Sequence, residues 1–418
     1  MEKKLLTVAI AGCGSRGQQC YTKILTELTD RARIVAAADL DPEKLAGMRA
    51  LCGVDEASCY ASAEEMLQQP RLADVMFICT PDDCHYAQAR AALEKGYHLL
   101  LEKPISPCAD ECRELAALAQ EKNRIVAVCH VLRYTAFYQK IKEIMDSGRL
   151  GQIVTLQGIE MVQYWHQAHS FVRGNWRNEA ESAPMILAKC CHDMDILLWL
   201  MGKHCRKVSS FGSLFHFKAD QAPEGAALRC VDCPVQDCPY NAVKFYLDRV
   251  RASGDDWPQN VVAFQPTEEK ILAALHTGPY GRCVYHCDND VVDNQIVNLE
   301  FEDGSTASYT MTAFTAHGGR TLRVMGTHGE MYADMAANTI RVTRYGKEDE
   351  VIDVRTLTSD FSGHGGGDAR LIRELIDLLQ GAPMTPTMTA IDRSVESHLV
   401  ALAAEESRKM GGAVVKIK

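Results

Sequence analysis

Lys103 and His192 are the two side chains whose chemistry suits the oxidation of an alcohol. That reaction needs a base for the hydroxyl proton while a hydride leaves the same carbon. Histidine titrates close to neutral pH, whereas lysine needs burial or a neighbouring cation to lower its pKa. We therefore expect His192 to be the base and Lys103 to act through hydrogen bonding and charge. The competing interpretations are a packed helical histidine and a solvated lysine at a strand end.

The residues before Lys103 predict how it is positioned. Leu99-Leu100-Leu101 reads as a buried parallel strand, and Pro104 ends it because proline has no N–H to donate. Ligands of an open parallel sheet bind beyond the carboxyl ends of its strands, so Lys103 is expected at a ligand site. Glu102 has a supporting role, either against a cofactor or at the strand end.

The segment around His192 predicts a helix. Lys189, His192 and Asp195 are spaced three apart and share one face of it. On that face Asp195 is expected to orient the imidazole, and Lys189 to add positive charge next to a bound substrate.

The stretch after the first predicted strand has the glycine spacing of a dinucleotide-binding loop. Gly12 permits a tight turn, Gly14 lets the backbone approach a pyrophosphate, and Gly17 allows close helix packing. A second strand ends in Asp39, whose carboxylate suits the adenosine ribose and repels a 2′-phosphate, so we expect NAD rather than NADP. The cofactor-binding residues predicted from this pattern are Gly12, Gly14, Ser15, Arg16, Gly17 and Asp39.

Strand and helix patterns predict two domains. Strands alternate with helices up to residue 129, which is typical of a doubly wound parallel sheet. Beyond it strands follow one another with few helices, and Asp303-Gly304 supplies a hairpin turn. We expect an α/β protein with a Rossmann domain at residues 1–129 and an α+β domain at residues 130–418 that holds a large, mostly antiparallel sheet and a C-terminal helix. An uncovered sheet face usually needs a partner, so we expect a homo-oligomer, either a dimer or a tetramer.

Several motifs resemble those of the Gfo/Idh/MocA family, which includes glucose–fructose oxidoreductase and inositol dehydrogenase. The motifs are Gly12-Cys13-Gly14-Ser15-Arg16-Gly17, Cys79-Thr80-Pro81 with His85, Glu102-Lys103-Pro104, the helix from Cys191 to Leu200, and Gly326-Thr327-His328-Gly329-Glu330. The resemblance implies a Rossmann domain followed by a large-sheet domain, with a lysine that touches substrate and nicotinamide. It also places Thr80, Pro81, His85 and Glu102 near the cofactor.

The chain departs from the family pattern at Ala188. Many members carry an aspartate four residues before the helix histidine, and here that position is alanine with Lys189 next to it. Either another group replaces the carboxylate, or the proton path runs differently from Lys103 through His192.

Two further segments, residues 130–134 and residues 164–177, predict a pocket for a polyol. Aromatic rings stack on sugar faces while Arg, His and Asn bond hydroxyl groups, although such residues also pack cores. The glycine run after His364 predicts a close-approach loop, and related sequences suggest that this loop edges the substrate pocket. Arg133 is expected near the cofactor, and the predicted substrate contacts are Tyr134, Tyr164, His169, Arg173, Trp176, Lys189, Asp195 and His364.

A cysteine-rich insertion spans about residues 218–290. Cys230, Cys233 and Cys238 have the spacing CxxCxxxxC, which suits zinc or an iron–sulfur cluster. A closed zinc site normally has four ligands, and the sequence leaves the fourth open. The candidates for the fourth ligand are His216, Cys283 and Cys287. Free thiols are the alternative.

The composition is that of a globular protein, with 47% hydrophobic and 24% charged residues. The net charge of −10 argues against a nucleic-acid or anionic-membrane partner. With no long apolar window and no signal-peptide pattern, we expect a cytoplasmic protein whose 17 cysteines are mostly reduced.

Three functions agree with these patterns. The first is an NAD-dependent oxidoreductase that acts on a secondary hydroxyl of a sugar, glycoside or cyclitol. The second is a redox-neutral glycosidase that oxidises a sugar hydroxyl only transiently so that elimination cleaves the glycosidic bond. The third is a sugar- and NAD-sensing regulatory protein without catalysis, which the presence of both Lys103 and His192 disfavours.

Overall fold

The computed structural model describes residues 4–254 and 256–417 and contains two sheets. The first sheet has six parallel strands in the order β3-β2-β1-β4-β5-β6. Its strands are β1 Leu6–Ala11, β2 Ala32–Ala38, β3 Cys59–Tyr60, β4 Val75–Ile78, β5 His98–Leu101 and β6 Val126–Val128.

Helices cover both faces of this sheet, because its central strands are apolar on both sides. The first begins as the π-helix Ser15–Thr22. The α-helices that follow are α1 Lys23–Thr26, α2 Pro42–Cys52, α3 Ala63–Gln68, α4 His85–Glu94 and α5 Ala109–Glu121.

The second sheet has nine strands in the order β14-β13-β12-β11-β7-β10-β9-β8-β15. Its described pairings are antiparallel except for that of β7 with β10. The strands are β7 Ile153–Met161, β8 Cys205–Ser213, β9 Asn294–Phe301, β10 Thr306–Thr312, β11 Gly319–Gly326, β12 Gly329–Asp334, β13 Thr339–Arg344, β14 Glu350–Asp353 and β15 Val415–Lys416.

The helices of the second half position the site. One face of the nine-stranded sheet packs on α6, α9 and α14, and α13 crosses back to cover the first sheet. The helices of the second half are α6 Ala136–Asp146, α7 Tyr164–His166, the π-helix Gln167–Arg173, α8 Met185–Ala188, α9 Cys191–Met201, α10 Ala242–Ser253, α11 Gln259–Val262, α12 Glu268–Thr277, α13 Ser362–Leu379 and α14 Ile391–Lys409.

The fold class predicted from the sequence is confirmed: a Rossmann sheet followed by a large, mostly antiparallel sheet. The domain limits at 1–129 and 130–418 stay a prediction, and α13 packs on the first sheet although it lies far beyond residue 130.

The other face of the nine-stranded sheet exposes apolar side chains, among them Phe211, Ile296 and Tyr332. Homo-oligomerisation through this face stays a prediction. Across the described residues, no helix has the length and apolar character needed to cross a membrane.

Leu100 lies in strand β5, one residue from the strand end that presents Lys103, and is fully buried. We expect Leu100→Ala to lower the free energy of unfolding by about 2–5 kcal/mol, because it leaves a cavity in the sheet core. Urea denaturation followed by circular dichroism measures the change. The matched control Leu51→Ala, at a partly exposed helix position, should change it by about 0.5 kcal/mol or less. Equal losses in the two variants would contradict the placement of β5.

Candidate active site

The glycine loop after β1 has the shape of a dinucleotide cradle. Gly12 has φ +89°, and a Cβ there would lie 2.5 Å from the Cys79 carbonyl oxygen. A Cβ on Gly17 would lie 1.9 Å from the Gly12 carbonyl oxygen, so the helix packs directly on the loop. A Cβ on Gly14 would have no protein atom within 4 Å. The loop is therefore tight inside and open at Gly14, the side on which a pyrophosphate binds.

Asp39 lies at the end of β2, beside this loop. The Cys13 N–H donates to Asp39 Oδ2 at 2.7 Å, and the Asp41 N–H donates to Oδ1 at 2.9 Å. Each carboxylate oxygen keeps a lone pair for a ribose hydroxyl. The position and charge of Asp39 therefore fit the adenosine ribose of a dinucleotide.

Arg16 links three distant segments of the chain. Its Nε donates to Glu102 Oε1 at 2.7 Å and its Nη2 to Asp368 Oδ1 at 2.6 Å, while Tyr21 OH donates to Glu102 Oε1 at 2.5 Å. Burial alone would raise the pKa of Glu102 and of Asp368, but the Arg16 guanidinium outweighs it and lowers both below their ordinary values. Both carboxylates are therefore ionised, and the Arg16 side chain is directed at them.

Lys103 reaches across the cleft between the two halves of the chain. Its Nζ donates to the Ala188 carbonyl oxygen at 2.9 Å and lies 5.6 Å from the Trp176 ring centroid. Trp176 is held in turn by its Nε1, which donates to Asp82 Oδ2 at 3.0 Å. The ammonium is thus bound by a backbone carbonyl at the position where the family pattern has a carboxylate.

His192 is the second residue of the buried helix α9 and has 7% of its surface exposed. Its Nδ1 is buried and has no hydrogen-bond partner among the described residues, and its ring lies 5.8 Å from the His130 ring and 6.1 Å from the His364 ring. Burial, together with the positive charge of Lys103, lowers the pKa of His192 well below 6.5. The imidazole is therefore neutral at physiological pH and is able to accept a proton.

Asp195 does not contact His192, contrary to the sequence prediction. Arg133 binds its carboxylate through Nε at 2.7 Å and Nη2 at 2.5 Å, and His130 Nδ1 lies 2.9 Å from Asp195 Oδ1. Asp195 and His192 lie on the same side of the helix, but the buried Arg133 guanidinium binds the Asp195 carboxylate. Asp195 thus acts on His130, which packs between it and His192.

Lys189 also has a partner of its own. Its Nζ lies 3.3 Å from Glu160 Oε1, and Arg320 Nε lies 2.8 Å from Glu160 Oε2. The predicted extra charge beside His192 is therefore largely balanced by a buried carboxylate.

His364 borders the His192 side of the cleft in an irregular turn at the start of α13. It has φ +47°, its Nδ1 lies 3.0 Å from Asp368 Oδ2, and 43% of its side chain is exposed. Gly367 approaches so closely that a Cβ would lie 2.4 Å from the Val131 carbonyl oxygen. This is the close-approach loop that the glycine run predicts.

His166 and Trp257 are site residues that sequence reasoning did not select. Burial, followed by the charge of Lys189, lowers the pKa of His166 well below 6.5, and His364 contributes to the same shift. The Trp257 ring lies edge-on to His166 at 4.9 Å. The polar and aromatic run containing His166 gave a signal for it, whereas Trp257 lies far along the chain in the insertion and gave none.

Four residues predicted to contact ligands have other partners in the structure. Tyr134 has no exposed surface and its hydroxyl bonds Thr389, while Arg133 is taken by Asp195. His169 stacks on Tyr280 at 4.7 Å, and Arg173 donates to carbonyls of the insertion. These side chains point into the protein because their own segments are buried. Tyr164, whose ring lies 6.1 Å from Tyr240, keeps its predicted role untested.

The loop after β4 carries the residues Thr80, Pro81 and His85. Thr80 Oγ1 donates to Gln88, and the His85 nitrogens lie 2.9 Å from the Thr80 carbonyl oxygen and 2.7 Å from the Pro104 carbonyl oxygen. His85 is fully buried, so its direct role is to join the loops that follow β4 and β5. Contact of this loop with the cofactor stays a prediction.

The three cysteines predicted as zinc ligands do not form a metal centre as placed. In the part of the chain that the structure describes, no three His, Cys, Asp or Glu side chains are grouped as metal ligands. All the described cysteines are free of disulfides.

Comparison with known families gives two adjoining matches. The family described as "Oxidoreductase family, NAD-binding Rossmann fold" matches residues 6–130, and its C-terminal alpha/beta domain matches residues 142–416.

Individual relatives agree with these matches. A Bacillus subtilis (strain 168) protein named as the oxidoreductase YteT is 24% identical to this chain. The match covers 90% of this chain and 91% of that protein. Inositol 2-dehydrogenase of Ralstonia nicotianae is 29% identical over 47% of this chain and 55% of its own length. The match thus spans about half the length of that dehydrogenase.

Solved structures share the fold. The WlbA dehydrogenase of Bordetella pertussis, in complex with NADH and UDP-GlcNAcA, has a TM-score of 0.71 at 18% identity over 100% of this chain and 99% of its own. An inositol dehydrogenase homologue of Azotobacter vinelandii with NAD+ has a TM-score of 0.70 at 17% identity over 99% and 97%.

Gly14 provides a test of the cradle that separates binding from folding. Gly14→Val should change the free energy of unfolding by about 1 kcal/mol or less, because no protein atom opposes the new side chain. It should weaken NAD binding by about tenfold or more, measured by isothermal titration calorimetry, because the side chain fills the space of the pyrophosphate. Gly17→Ala is the contrasting variant and should destabilise the apo protein. Wild-type NAD affinity in a folded Gly14→Val protein would contradict the cradle.

Proposed function

The chain belongs to the Gfo/Idh/MocA family of oxidoreductases, and we propose that it transfers a hydride between a secondary hydroxyl of a sugar, glycoside or cyclitol and NAD. The observation that carries the proposal is the pairing of a buried neutral His192 with the Lys103 ammonium at the end of β5. The first supplies a proton acceptor, and the second supplies a positive charge for a developing alkoxide.

NAD fits the first half of the chain better than NADP. The open side of Gly14 gives room for the pyrophosphate, and Asp39 offers a carboxylate to the ribose. Lys44 Nζ lies 3.9 Å from Asp39 Oδ1 and offsets part of the repulsion that Asp39 exerts on a 2′-phosphate. When bound, NAD supplies the hydride acceptor.

Residues of the chain itself bind the substrate oxygen and accept the proton. Lys103 donates a hydrogen bond to the substrate oxygen and holds the hydroxyl against His192. The neutral imidazole of His192 takes the hydroxyl proton, and the nearby ammonium stabilises the oxygen as its negative charge grows. Asp195 and Arg133 act as positioning residues, because they fix His130 against the His192 ring.

The walls of the cleft support a polyol substrate. Trp176, beside Lys103, offers an aromatic face, and His166 and His364 offer ring nitrogens to hydroxyl groups. The relatives include inositol 2-dehydrogenases, whose name gives a cyclitol as their substrate. The carbon that is oxidised is left for experiment.

The deciding experiment incubates the protein with NAD and a panel of sugars, inositols and glycosides. Accumulation of NADH with at least one of these compounds supports the proposal. Release of an aglycone without net NADH would overturn it in favour of the redox-neutral glycosidase. Sugar-dependent binding with no turnover on any compound would overturn it in favour of a sensor.

Substitution of either reacting side chain should abolish turnover of a substrate found in this panel. Lys103→Met and His192→Ala should each reduce kcat/KM by about 10²–10⁴-fold, because each removes one charge or proton transfer. NAD affinity should stay within about threefold, roughly 0.7 kcal/mol. Exposed residues provide matched controls, Lys23→Met and His276→Ala, which should keep wild-type kcat/KM. Full activity in Lys103→Met or His192→Ala would remove that residue from the mechanism.

The pH dependence follows from the depressed pKa of His192. As the pH falls through that pKa the imidazole becomes protonated and no longer accepts a proton, so kcat/KM for oxidation falls on the acid side. The acid limb should lie well below pH 6.5, since burial and Lys103 both disfavour the charged ring. A pH profile of initial NADH formation measures it. A limb centred at or above the ordinary histidine value would contradict the buried neutral base.

A further inference from the structure

The insertion carries a second site that the proposed reaction does not use. We propose that four thiols close around one structural zinc ion: Cys230, Cys233, Cys238 and Cys283. The structure supplies the fourth ligand, which the sequence left open among three candidates, because all four cysteines line a single cavity. His216 and Cys287 are not among the residues that line it.

Backbone pairing brings the two cysteine segments together. Arg229 and Arg282 form an antiparallel bridge, and the Cys283 N–H donates to the Leu228 carbonyl oxygen at 2.9 Å. Cys230 and Cys283 therefore each directly follow one of the two bridged residues. The Cys233 N–H donates to the Cys230 carbonyl oxygen at 3.4 Å, which makes the CxxC stretch a turn with both thiols on one side.

Arg173 gives an independent reason for an anionic centre here. It is 3% exposed, and its donors go to the carbonyl oxygens of Arg282 and Tyr240 and to Cys230 Sγ at 3.4 Å. Among the described residues no carboxylate pairs with it. A buried cation without a counter-ion is costly, and a zinc ion with four thiolates has net negative charge that would balance it.

The small apolar core of the insertion also indicates that a cross-link stabilises it. One cluster of buried apolar side chains in the insertion consists of Ala242, Tyr246, Ile271 and Leu275, and Cys283, Val284 and Tyr285 belong to a second small cluster shared with the neighbouring segments. So few buried groups supply little stability, and small units of this kind are commonly held by a metal or by disulfides. The described cysteines of the insertion are free thiols, so metal binding is the stabilising cross-link that these residues are able to form.

Across the part of the chain that the structure describes, these cysteines line the cavity without forming a group of three or more metal ligands. Closure requires each thiol to rotate about its Cα–Cβ bond until the sulfurs lie about 2.3 Å from a common point.

The zinc site would fix a cap over the candidate active site. Trp257 of the insertion contacts His166, and Asn260 Nδ2 donates to Gln19 Oε1 at 2.7 Å on the helix after the glycine loop. The cap thus touches both the substrate wall and the cofactor domain. The zinc proposal does not depend on the proposed reaction, because metal content is measured without turnover.

The test is metal analysis of the purified full-length protein, incubated with zinc chloride and then desalted. Mass spectrometry of the elements should find about one zinc per chain. Titration of the wild-type protein with a mercurial reagent should release that zinc as four thiols react, which needs no variant. Absence of retained zinc, or iron with visible absorption in its place, would overturn the proposal.

Variants then test the ligand set. Cys230→Ser and Cys283→Ser should each lose zinc, whereas the matched control Cys287→Ser should retain it, since its Sγ bonds only the Cys283 carbonyl oxygen. Circular dichroism reports whether each variant is folded. Loss of zinc from Cys287→Ser with full retention in Cys283→Ser would overturn the assignment of the fourth ligand.

Discussion

The ion network around Arg16 is the constraint on which the rest of the site depends. One guanidinium joins Glu102, at the end of β5, to Asp368, in the turn that carries His364, and it does so from the first turn of the glycine-loop helix. Removing one partner of a buried pair costs about 3–5 kcal/mol, because the remaining charge stays in a region of low dielectric. The network thereby couples the cofactor loop, the residue next to Lys103 and the edge of the substrate cleft in one arrangement.

The electrostatics of helix α9 follow a similar logic. Both of its carboxylates have cationic partners: Arg133 binds Asp195, which also lies against His130, and Arg320 binds Asp193, the residue after His192. With cations as its charged neighbours and little water, His192 is held neutral. A carboxylate at residue 188 would work against this state, and Ala188 instead offers only its carbonyl oxygen to Lys103. The departure from the family pattern therefore keeps the imidazole uncharged.

Much of the fold was predictable from the sequence, because periodic burial and glycine geometry are local properties. The glycine loop, Asp39 at the end of β2 and the strand before Lys103 all have local signals. The direction of a side chain inside a buried segment has none, and for that reason Arg133, Tyr134, His169 and Arg173 were assigned to ligands although the structure gives them protein partners. Contacts between distant segments were equally hidden: Trp257 contacts His166, and Arg282 pairs with Arg229, only through the fold of the insertion.

The central claim is that a hydride leaves the same carbon whose hydroxyl proton passes to His192. The most direct measurement uses a substrate carrying deuterium on that carbon, with mass spectrometry of the nicotinamide product. Direct transfer predicts one deuterium per reduced NAD and none in the solvent, with slower turnover than for the unlabelled compound. Deuterium found in water, or oxidised product formed without labelled NADH, would contradict the account.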